Sequence, residues 1–155
     1  MSILHQNLYQ GEHLKNVNVD DYLHALVENI NDTYKLDKDI DFDLEIDAIT
    51  MDIDVLVPLG LIVNELVCNA IKYAFVGKDK GVITISLKAV DDLVRLRVKD
   101  NGVGVGGSDI PSKEGSLGKR IIYSFSRRLG GEVNIQSSND GTDIIINFPK
   151  NEIYG

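Results

Sequence analysis

The amino-acid sequence predicts an α/β fold, a two-layer α/β sandwich in which helices cover a single face of one mixed sheet. Segments with the two-residue period of β-strands occur in pairs, and segments with a period of about 3.6 residues, typical of helices, separate them. The strand segments alternate cleanly between apolar and polar residues, which indicates a sheet with one buried and one solvated face. A chain of 155 residues is long enough to form one such domain around its own core.

Three segments carry apolar residues at helical spacing next to residues that favour a helix end. Asparagine or aspartate precedes the first two, and such side chains can cap a helix N-terminus. Two consecutive glycines stop the third. The first predicted helix is capped by Asn18 or Asp20 and ends near Tyr34. The second, with Pro58 in its first turns, is opened by Asp52 or Asp54 and runs to about Phe75. The third runs from about Leu117 to Leu129, before Gly130 and Gly131, with a core stripe of Leu117, Ile121, Phe125 and Leu129.

Five segments alternate apolar and polar residues in the manner of half-buried strands. They are 40–46, 83–88, 93–99, 132–137 and 143–149. The turn signal Asn139-Asp140-Gly141 joins the last two. Residues 101–118 contain six glycines and one proline, a composition that predicts a loop between the third strand and the third helix.

The composition excludes several classes of partner and site. The chain has 16 basic and 24 acidic residues, a net charge of −8, and the basic residues are scattered along it. Nucleic acids and membrane surfaces bind concentrated positive patches, so we expect neither as a partner. The single cysteine, Cys68, allows no internal disulfide and fits a reducing, cytoplasmic compartment. The longest apolar run, 55–63, is much shorter than the roughly 20 residues that span a bilayer.

Four residues of the longest helix fall on one side of it. Glu65, Asn69, Lys72 and Tyr73 follow the i, i+4, i+7 and i+8 spacing of a helix face. A carboxylate, a neutral oxygen ligand and an ammonium on one stripe suit a metal–triphosphate site, because Mg²⁺ takes few protein oxygens and completes its shell with phosphates and water. The alternative is a solvated face with a Glu/Lys pair, which is common on exposed helices.

Asp100 continues the inward-facing apolar row of the third strand. A carboxylate in that position needs a buried polar partner, and the exocyclic amino group of a bound base would supply one. Gly102 and Gly104 follow at once, where the backbone must turn sharply and approach a ligand. The alternative is an ordinary turn at a strand end, since Asp-Asn-Gly is also a strong turn signal.

A third group of residues opens the last helix. The segment Gly115-Ser116-Leu117-Gly118 places backbone N–H groups at the helix start with little side-chain crowding. Such a start is a natural phosphate site. The alternative is an ordinary helix N-terminus after a flexible loop.

Taken in order, these segments resemble the motifs of the GHKL superfamily of ATP-binding domains and, within it, of the sensor histidine kinases. Residues 65–75 resemble the asparagine box of the subgroup whose box reads Asn-Glu-Leu, 100–104 the first glycine box and 115–118 the second. Gly141 and Thr142, with the strand that ends at Pro149, resemble the last box. The resemblance covers about 18–149 and implies a Bergerat-type ATP-binding fold.

The resemblance implies a role for each matching residue. Asn69 would coordinate Mg²⁺, Lys72 would neutralise phosphate charge, and Asp100 would accept a hydrogen bond from the adenine amino group, with Thr142 supporting that contact. Glu65 would act as general base or order the water shell of the metal. The other implied roles are a pocket floor at Gly102 and Gly104, a closing lid at Gly115, Ser116, Leu117 and Gly118, and a flank for the base or ribose at Tyr73, which is alternatively a core residue.

The resemblance also implies where the chain sits in a larger kinase. Residues 1–17 would be the remnant of a dimerisation helix and linker, 18–150 the ATP-binding catalytic domain, and 151–155 a C-terminal tail. His5, His13 and His24 lack the context of a phosphoacceptor, so the acceptor histidine would lie on a separate dimerisation domain of the parent kinase, and a response regulator receiver domain would be an indirect partner. The alternatives are a serine protein kinase of the anti-sigma-factor type and a scaffold that binds no nucleotide.

Two departures from the family pattern bear on the lid. Ser116 stands where a third glycine is usual in the second glycine box. No clear phenylalanine box occurs between Gly104 and Gly115. The interval from Gly104 to Gly115 is short, so we expect a small lid over the phosphates.

Overall fold

The computed structural model describes residues 16–34, 38–104 and 117–150. The predicted helices and strands are all present. In chain order the elements are β1 (Val17–Asn18), α1 (Val19–Thr33), β2 (Asp39–Ile46), β3 (Thr50–Met51), α2 (Ile53–Asn69) with a π-helical turn (Ala70–Ala74), β4 (Lys80–Val90), β5 (Leu93–Asp100), α3 (Leu117–Arg128), β6 (Glu132–Ser138) and β7 (Gly141–Pro149).

The described strands form one five-stranded mixed sheet and one small ribbon. The sheet has the order β2-β4-β5-β7-β6, with β2 parallel to β4 and the other pairs antiparallel. The ribbon pairs β1 with β3, which are two residues each. Strands this short carry no readable alternation, so the sequence did not predict them. The mixed sheet with its layer of helices confirms the predicted α/β sandwich.

The two faces of the sheet differ as the alternation predicted. The face toward the helices is apolar and buried, and its fully buried members include Ile83, Ile85, Leu87, Val94, Leu96, Ile146 and Phe148. On the opposite face Arg97 forms a bidentate ion pair with Asp143, and the Arg95 side chain donates a hydrogen bond to the Asn147 amide oxygen at 2.9 Å. Polar pairs therefore cover the solvated side, and the core lies between the sheet and the helices.

The capping of α1 follows the sequence, whereas the end of α2 does not. The Asn18 side chain accepts a hydrogen bond from the Asp21 backbone N–H at 3.0 Å, which confirms Asn18 as the cap. The sequence predicted an uninterrupted α-helix to Phe75, but the last residues, Ala70–Ala74, wind as a π-helix. The Ala74 carbonyl there accepts a hydrogen bond from the Val103 backbone N–H at 2.7 Å, so the loop after β5 is hydrogen-bonded to the end of the helix.

The buried positions of α3 match the predicted stripe only in part. Leu129 is buried and Phe125 packs against the core, as predicted. Ile122 is fully buried, whereas Ile121 and Phe125 are only partly buried. The buried Ser126 lies on the same stripe. A polar residue inside the core interface gives no apolar signal, so the sequence pattern did not reveal this part of the buried face.

The long central helix is apolar on most of its surface. Among the described residues, the span Ile53–Ala74 is long and apolar enough, by length and composition alone, to cross a membrane, and 67% of its most apolar window is buried in the fold. Its buried residues pack against the sheet and the flanking helices. The span serves as the core helix of the sandwich.

Phe75 and Val76 allow a matched test of this packing. Phe75 is 1% exposed and its ring packs directly on the backbone of Gly81, whereas the adjacent Val76 is 65% exposed. We expect Phe75→Ala to lower the free energy of unfolding by about 3–5 kcal/mol, because it leaves a large cavity. Val76→Ala should change it by less than about 0.5 kcal/mol. Urea unfolding measures both, and similar losses in the two variants would contradict this packing.

Candidate functional site

The candidate site forms where β5 and β7 meet at one end of the sheet. Asp100 is the last residue of β5 and pairs with Ile83 of β4. Its side chain is 7% exposed and continues the buried row of Val94, Leu96 and Val98, as the sequence predicted. A carboxylate is thus held inside the apolar layer of the fold, where an unpartnered charge would be costly.

The Asp100 carboxylate is stabilised by two backbone N–H groups. Its Oδ1 atom accepts from Gly102 at 2.9 Å and from Thr142 at 3.3 Å. Burial raises the pKa of this carboxyl, and the two backbone N–H groups and the charge of Lys78 partly offset that rise. The Oδ2 atom of Asp100 accepts neither of these two backbone bonds.

The turn after Asp100 is fixed by three neighbouring segments. Asn101 accepts the Val82 backbone N–H on its side-chain oxygen at 2.8 Å, and its carbonyl accepts from Lys78 Nζ at 3.2 Å. Glycine is required twice in the turn. A Cβ on Gly102 would lie 2.1 Å from the Ala74 carbonyl oxygen, and Gly104 has a φ of +78° beside the Ser138 carbonyl.

Asn69, at the end of α2, faces Asp100 across a narrow cavity. Its side chain is 7% exposed, and its Nδ2 atom has no hydrogen-bond partner within the described ranges. Buried polar atoms are nearly always paired, so an unpaired amide nitrogen at this position points to a ligand. The cavity has a volume of about 10 Å³ and is lined by Leu66, Asn69, Ala70, Ala74, Val98, Asp100, Thr142 and Ile144. That is room for about one water molecule, so a purine ring would enter only if the walls moved apart.

Thr142 joins this site through its backbone and its hydroxyl. Its N–H bonds to Asp100, and its Oγ1 lies 3.2 Å from the Ser137 hydroxyl on the neighbouring strand β6. The sequence analysis missed Ser137. The signal was available, because the turn at Asn139-Asp140-Gly141 sets a hairpin register in which Ser137 pairs with Thr142.

The remaining predicted residues of the long helix lie outside the cavity. Glu65 is partly buried, Lys72 is exposed, and Tyr73 is 37% exposed, which places Tyr73 outside the core. The Lys72 ammonium lies over the ring of Tyr34, 5.8 Å from its centroid. Of the four residues predicted on one stripe, Asn69 alone turns into the cavity.

Other predicted residues are only partly covered by the structure. Gly115 and Ser116 lie outside the described residues, as do His5 and His13, and of the predicted lid only Leu117 and Gly118 are described, as the start of α3. The third histidine, His24, is described. It lies on the exposed side of α1 and is near Asp20, away from the cavity.

Two protein-family models match the sequence. The family described as histidine kinase-, DNA gyrase B-, and HSP90-like ATPase matches residues 54–152. That range includes the cavity residues Asn69, Asp100 and Thr142. A second model, described as histidine kinase, matches residues 1–34.

Curated relatives carry related names. The chain is 28% identical over 111 residues to blue-light-activated histidine kinase 2 of Erythrobacter litoralis, covering 71% of this chain and 32% of the relative. It is 28% identical over 136 residues to the sensor histidine kinase PdtaS of Mycobacterium tuberculosis, covering 86% and 27%. It is also 31% identical over 75 residues to the serine-protein kinase RsbW of Listeria monocytogenes, covering 47% and 46%. The chain therefore spans about a third or less of the histidine kinases and under half of RsbW.

Solved structures share the fold. The histidine kinase domain of the Erythrobacter litoralis EL346 blue-light activated histidine kinase superposes with a TM-score of 0.82 at 25% identity, covering 94% of this chain and 69% of that one. The catalytic domain of histidine kinase ThkA superposes with a TM-score of 0.70 at 21% identity, covering 90% and 98%. The second likeness bears on the fold alone.

Asp100→Asn and Asp100→Ala separate the charge of this side chain from its hydrogen bonds. The Asn amide oxygen can accept hydrogen bonds from the N–H groups of Gly102 and Thr142. Ala leaves both N–H groups unpaired, which costs about 1–3 kcal/mol of stability for each. The unfolded chain releases the Asp100 proton near the ordinary pKa of 3.8, and the folded chain releases it at higher pH. Ionisation of Asp100 therefore lowers stability as the pH rises through that interval.

We expect Asp100→Asn to be at least as stable as the unsubstituted protein at about pH 7, and its advantage to vanish at acidic pH, where both side chains are neutral. Asp100→Ala should be less stable at both pH values. Urea unfolding at each pH measures the difference. Lower stability of Asp100→Asn at neutral pH would mean that the two backbone bonds depend on the charge.

Proposed function

The chain belongs to the family of histidine kinase-, DNA gyrase B- and HSP90-like ATPases, and we propose that it is the ATP-binding catalytic domain of a sensor histidine kinase. Its task is to bind Mg·ATP and present the γ-phosphoryl group to a histidine on a separate dimerisation domain. The observation that carries this proposal is the convergence of Asn69, Asp100 and Thr142 on one cavity, with an unpaired amide nitrogen inside it.

The proposed adenine contact uses the free side of the Asp100 carboxylate. Two backbone N–H groups hold Oδ1 and fix the plane of the carboxylate. Oδ2 can then accept a hydrogen bond from the exocyclic amino group of adenine. The Thr142 hydroxyl, oriented by Ser137, supports the same edge of the base. Guanine carries a carbonyl oxygen at the equivalent position, so two acceptors would meet and the site favours ATP over GTP.

Asn69 fits a magnesium ion. Its amide can turn the oxygen toward an ion without breaking a bond of the nitrogen, since Nδ2 is unpaired in the described part of the chain. The described residues contain no group of three or more His, Cys, Asp or Glu side chains that could hold an ion. An ion would therefore be held by Asn69 together with phosphate oxygens and water, and would supply charge neutralisation on the phosphates.

Two further residues of the long helix complete the proposed phosphate end. Lys72 adds positive charge near the phosphates, and Glu65 acts as general base toward the incoming imidazole or orders the water shell of the ion. Residues 115–118 form the lid. Phosphoryl transfer depends on positioning and charge neutralisation, so the domain needs no covalent nucleophile of its own.

The parent protein is proposed from the same family match. Residues 1–17 would be the end of a dimerisation helix and a linker, 18–150 the catalytic domain and 151–155 a tail. The match of residues 1–34 to a histidine kinase model supports a dimerisation segment at the start and extends past the proposed boundary into α1. The acceptor histidine would lie in the dimerisation domain, a response regulator would receive the phosphoryl group, and the catalytic domain would face the cytoplasm.

One alternative function has a specific observation in its favour. The similarity to the serine-protein kinase RsbW covers 75 residues at 31% identity, so a serine acceptor is the second candidate. Incubation with radiolabelled ATP and the dimerisation domain, followed by acid treatment, separates the two. Phosphohistidine is lost in acid, whereas phosphoserine survives. A chain that binds no ATP would instead be the nucleotide-free scaffold.

The base contact is tested with Asp100→Asn. We expect the affinity for ATP to fall about tenfold or more, because the amide presents a donor where adenine needs an acceptor. The preference for ATP over GTP should fall with it. Calorimetry measures both, and Asp41→Asn, the same change at an exposed position of β2, is the control. Unchanged ATP affinity in Asp100→Asn would exclude Asp100 as the residue that contacts the adenine amino group.

The metal contact is tested with Asn69→Ala. The unsubstituted protein should bind ATP more tightly with Mg²⁺ than with EDTA, and we expect Asn69→Ala to lose most of that gain. Asn64→Ala is the control, since Asn64 lies on the same helix and contacts the Cys68 thiol. A full magnesium gain in Asn69→Ala would exclude Asn69 as the ligand.

A further inference from the structure

Tyr34, at the C-terminal end of α1, contacts two residues of the long helix. It caps the C-terminus of α1, where its backbone N–H donates to the Ile30 carbonyl at 2.9 Å. Its ring lies under the Lys72 ammonium, and its hydroxyl is hydrogen-bonded to the Cys68 thiol. That thiol bond, together with nearby charge and burial, raises the pKa of the Tyr34 hydroxyl, so the ring stays neutral.

Helix geometry places Lys72 between the Tyr34 ring and the cavity at Asn69. Lys72 is i+4 from Cys68 and i+3 from Asn69, so its stem starts between the side that faces Tyr34 and the side that faces the cavity. The residues Ala70–Ala74 form a π-turn, in which each residue advances less around the axis than in an α-helix. The turn therefore leaves Lys72 nearer the Cys68 side, where Tyr34 is.

We propose that the Lys72 ammonium has two alternative binding partners, the Tyr34 ring and the triphosphate of ATP, and that the two compete for the ammonium. The inference rests on the proposed function, in which Lys72 neutralises phosphate charge. Tyr34 is half-buried, and a cation over a tyrosine ring is attracted by the negative face of that ring. To reach phosphates held at Asn69, the ammonium must leave that face. Tyr34 thus lowers the affinity for ATP by the strength of the contact that is broken.

The proposal predicts an unusual sign for a substitution beside a binding site. Tyr34→Leu removes the aromatic face, and we expect it to raise the affinity for Mg·ATP about two- to fivefold, the factor that a partly exposed cation–π contact supplies. Tyr34→Phe keeps the face and should bind ATP as the unsubstituted protein does. Adenosine carries no phosphate, so its affinity should be the same in all three proteins. Calorimetry on the full chain measures each value.

A second pair of variants tests whether Lys72 carries the effect. In a Lys72→Met background, Tyr34→Leu should leave ATP affinity unchanged, because no ammonium remains to be released. Tyr34→Trp should lower ATP affinity, since indole binds cations more strongly than phenol, and a cavity of about 240 Å³ beside Tyr34 leaves room for the larger ring. Tyr34→Leu and Tyr34→Trp are expected to change ATP affinity in opposite directions. A general loss of folding would weaken binding in either variant, so it would not produce this pattern.

Three outcomes would overturn the proposal. They are unchanged or weaker ATP binding by a folded Tyr34→Leu, a gain that persists in the Lys72→Met background, and an equal gain in Tyr34→Phe, which would assign the effect to the thiol bond with Cys68. Failure of the proposed function looks different. If the proposed ATP site itself were wrong, the unsubstituted chain would bind no ATP at all, whereas a serine acceptor in place of histidine would leave these affinities as predicted.

Discussion

The site depends on one buried carboxylate oxygen. Asp100 Oδ1 accepts the backbone N–H groups of Gly102 and Thr142, residues that are 40 positions apart in the chain. This bond pair joins the turn after β5 to the start of β7. The close approach also requires Gly141, which has a φ of +133° and whose Cβ would lie 1.9 Å from the Asp100 carbonyl oxygen. Burial opposes the charge, and the two N–H groups make the arrangement tolerable.

The fold brings the other half of the site to this carboxylate through the end of the central helix. The Val103 N–H bonds to the Ala74 carbonyl, so the loop that follows Asp100 is tied to the π-turn that follows Asn69. Phe75 then packs on the backbone of β4 and fixes the helix end to the sheet. Asn69 and Asp100 consequently line the same narrow cavity, and backbone contacts bring the two segments that carry them together.

Periodicity was sufficient to predict the sheet, the helices and the inward direction of Asp100, because alternation along β5 continues through its last residue. It was insufficient where long-range contacts decide. The π-turn ends at the Ala74 carbonyl, which accepts a hydrogen bond from Val103, 29 residues later. The buried face of α3 includes Ser126, which no apolar pattern reveals. Ser137 could be found only by combining the hairpin turn with its register. The very short β1 and β3 are defined by their pairing with each other.

Lys72 shows a different limit of the sequence. Helical spacing predicts where its stem begins, but the position of an ammonium on a long, rotatable side chain depends on which neighbours surround it. The aromatic ring beneath this ammonium is that of Tyr34, the C-cap of α1, 38 residues earlier in the chain. The two ends of the proposed nucleotide site therefore differ in kind. In the proposed function, a carboxylate held by backbone bonds would read the base, whereas the Lys72 charge would move between the Tyr34 ring and the phosphates. Substitutions at the two ends should therefore act on affinity through different physical causes.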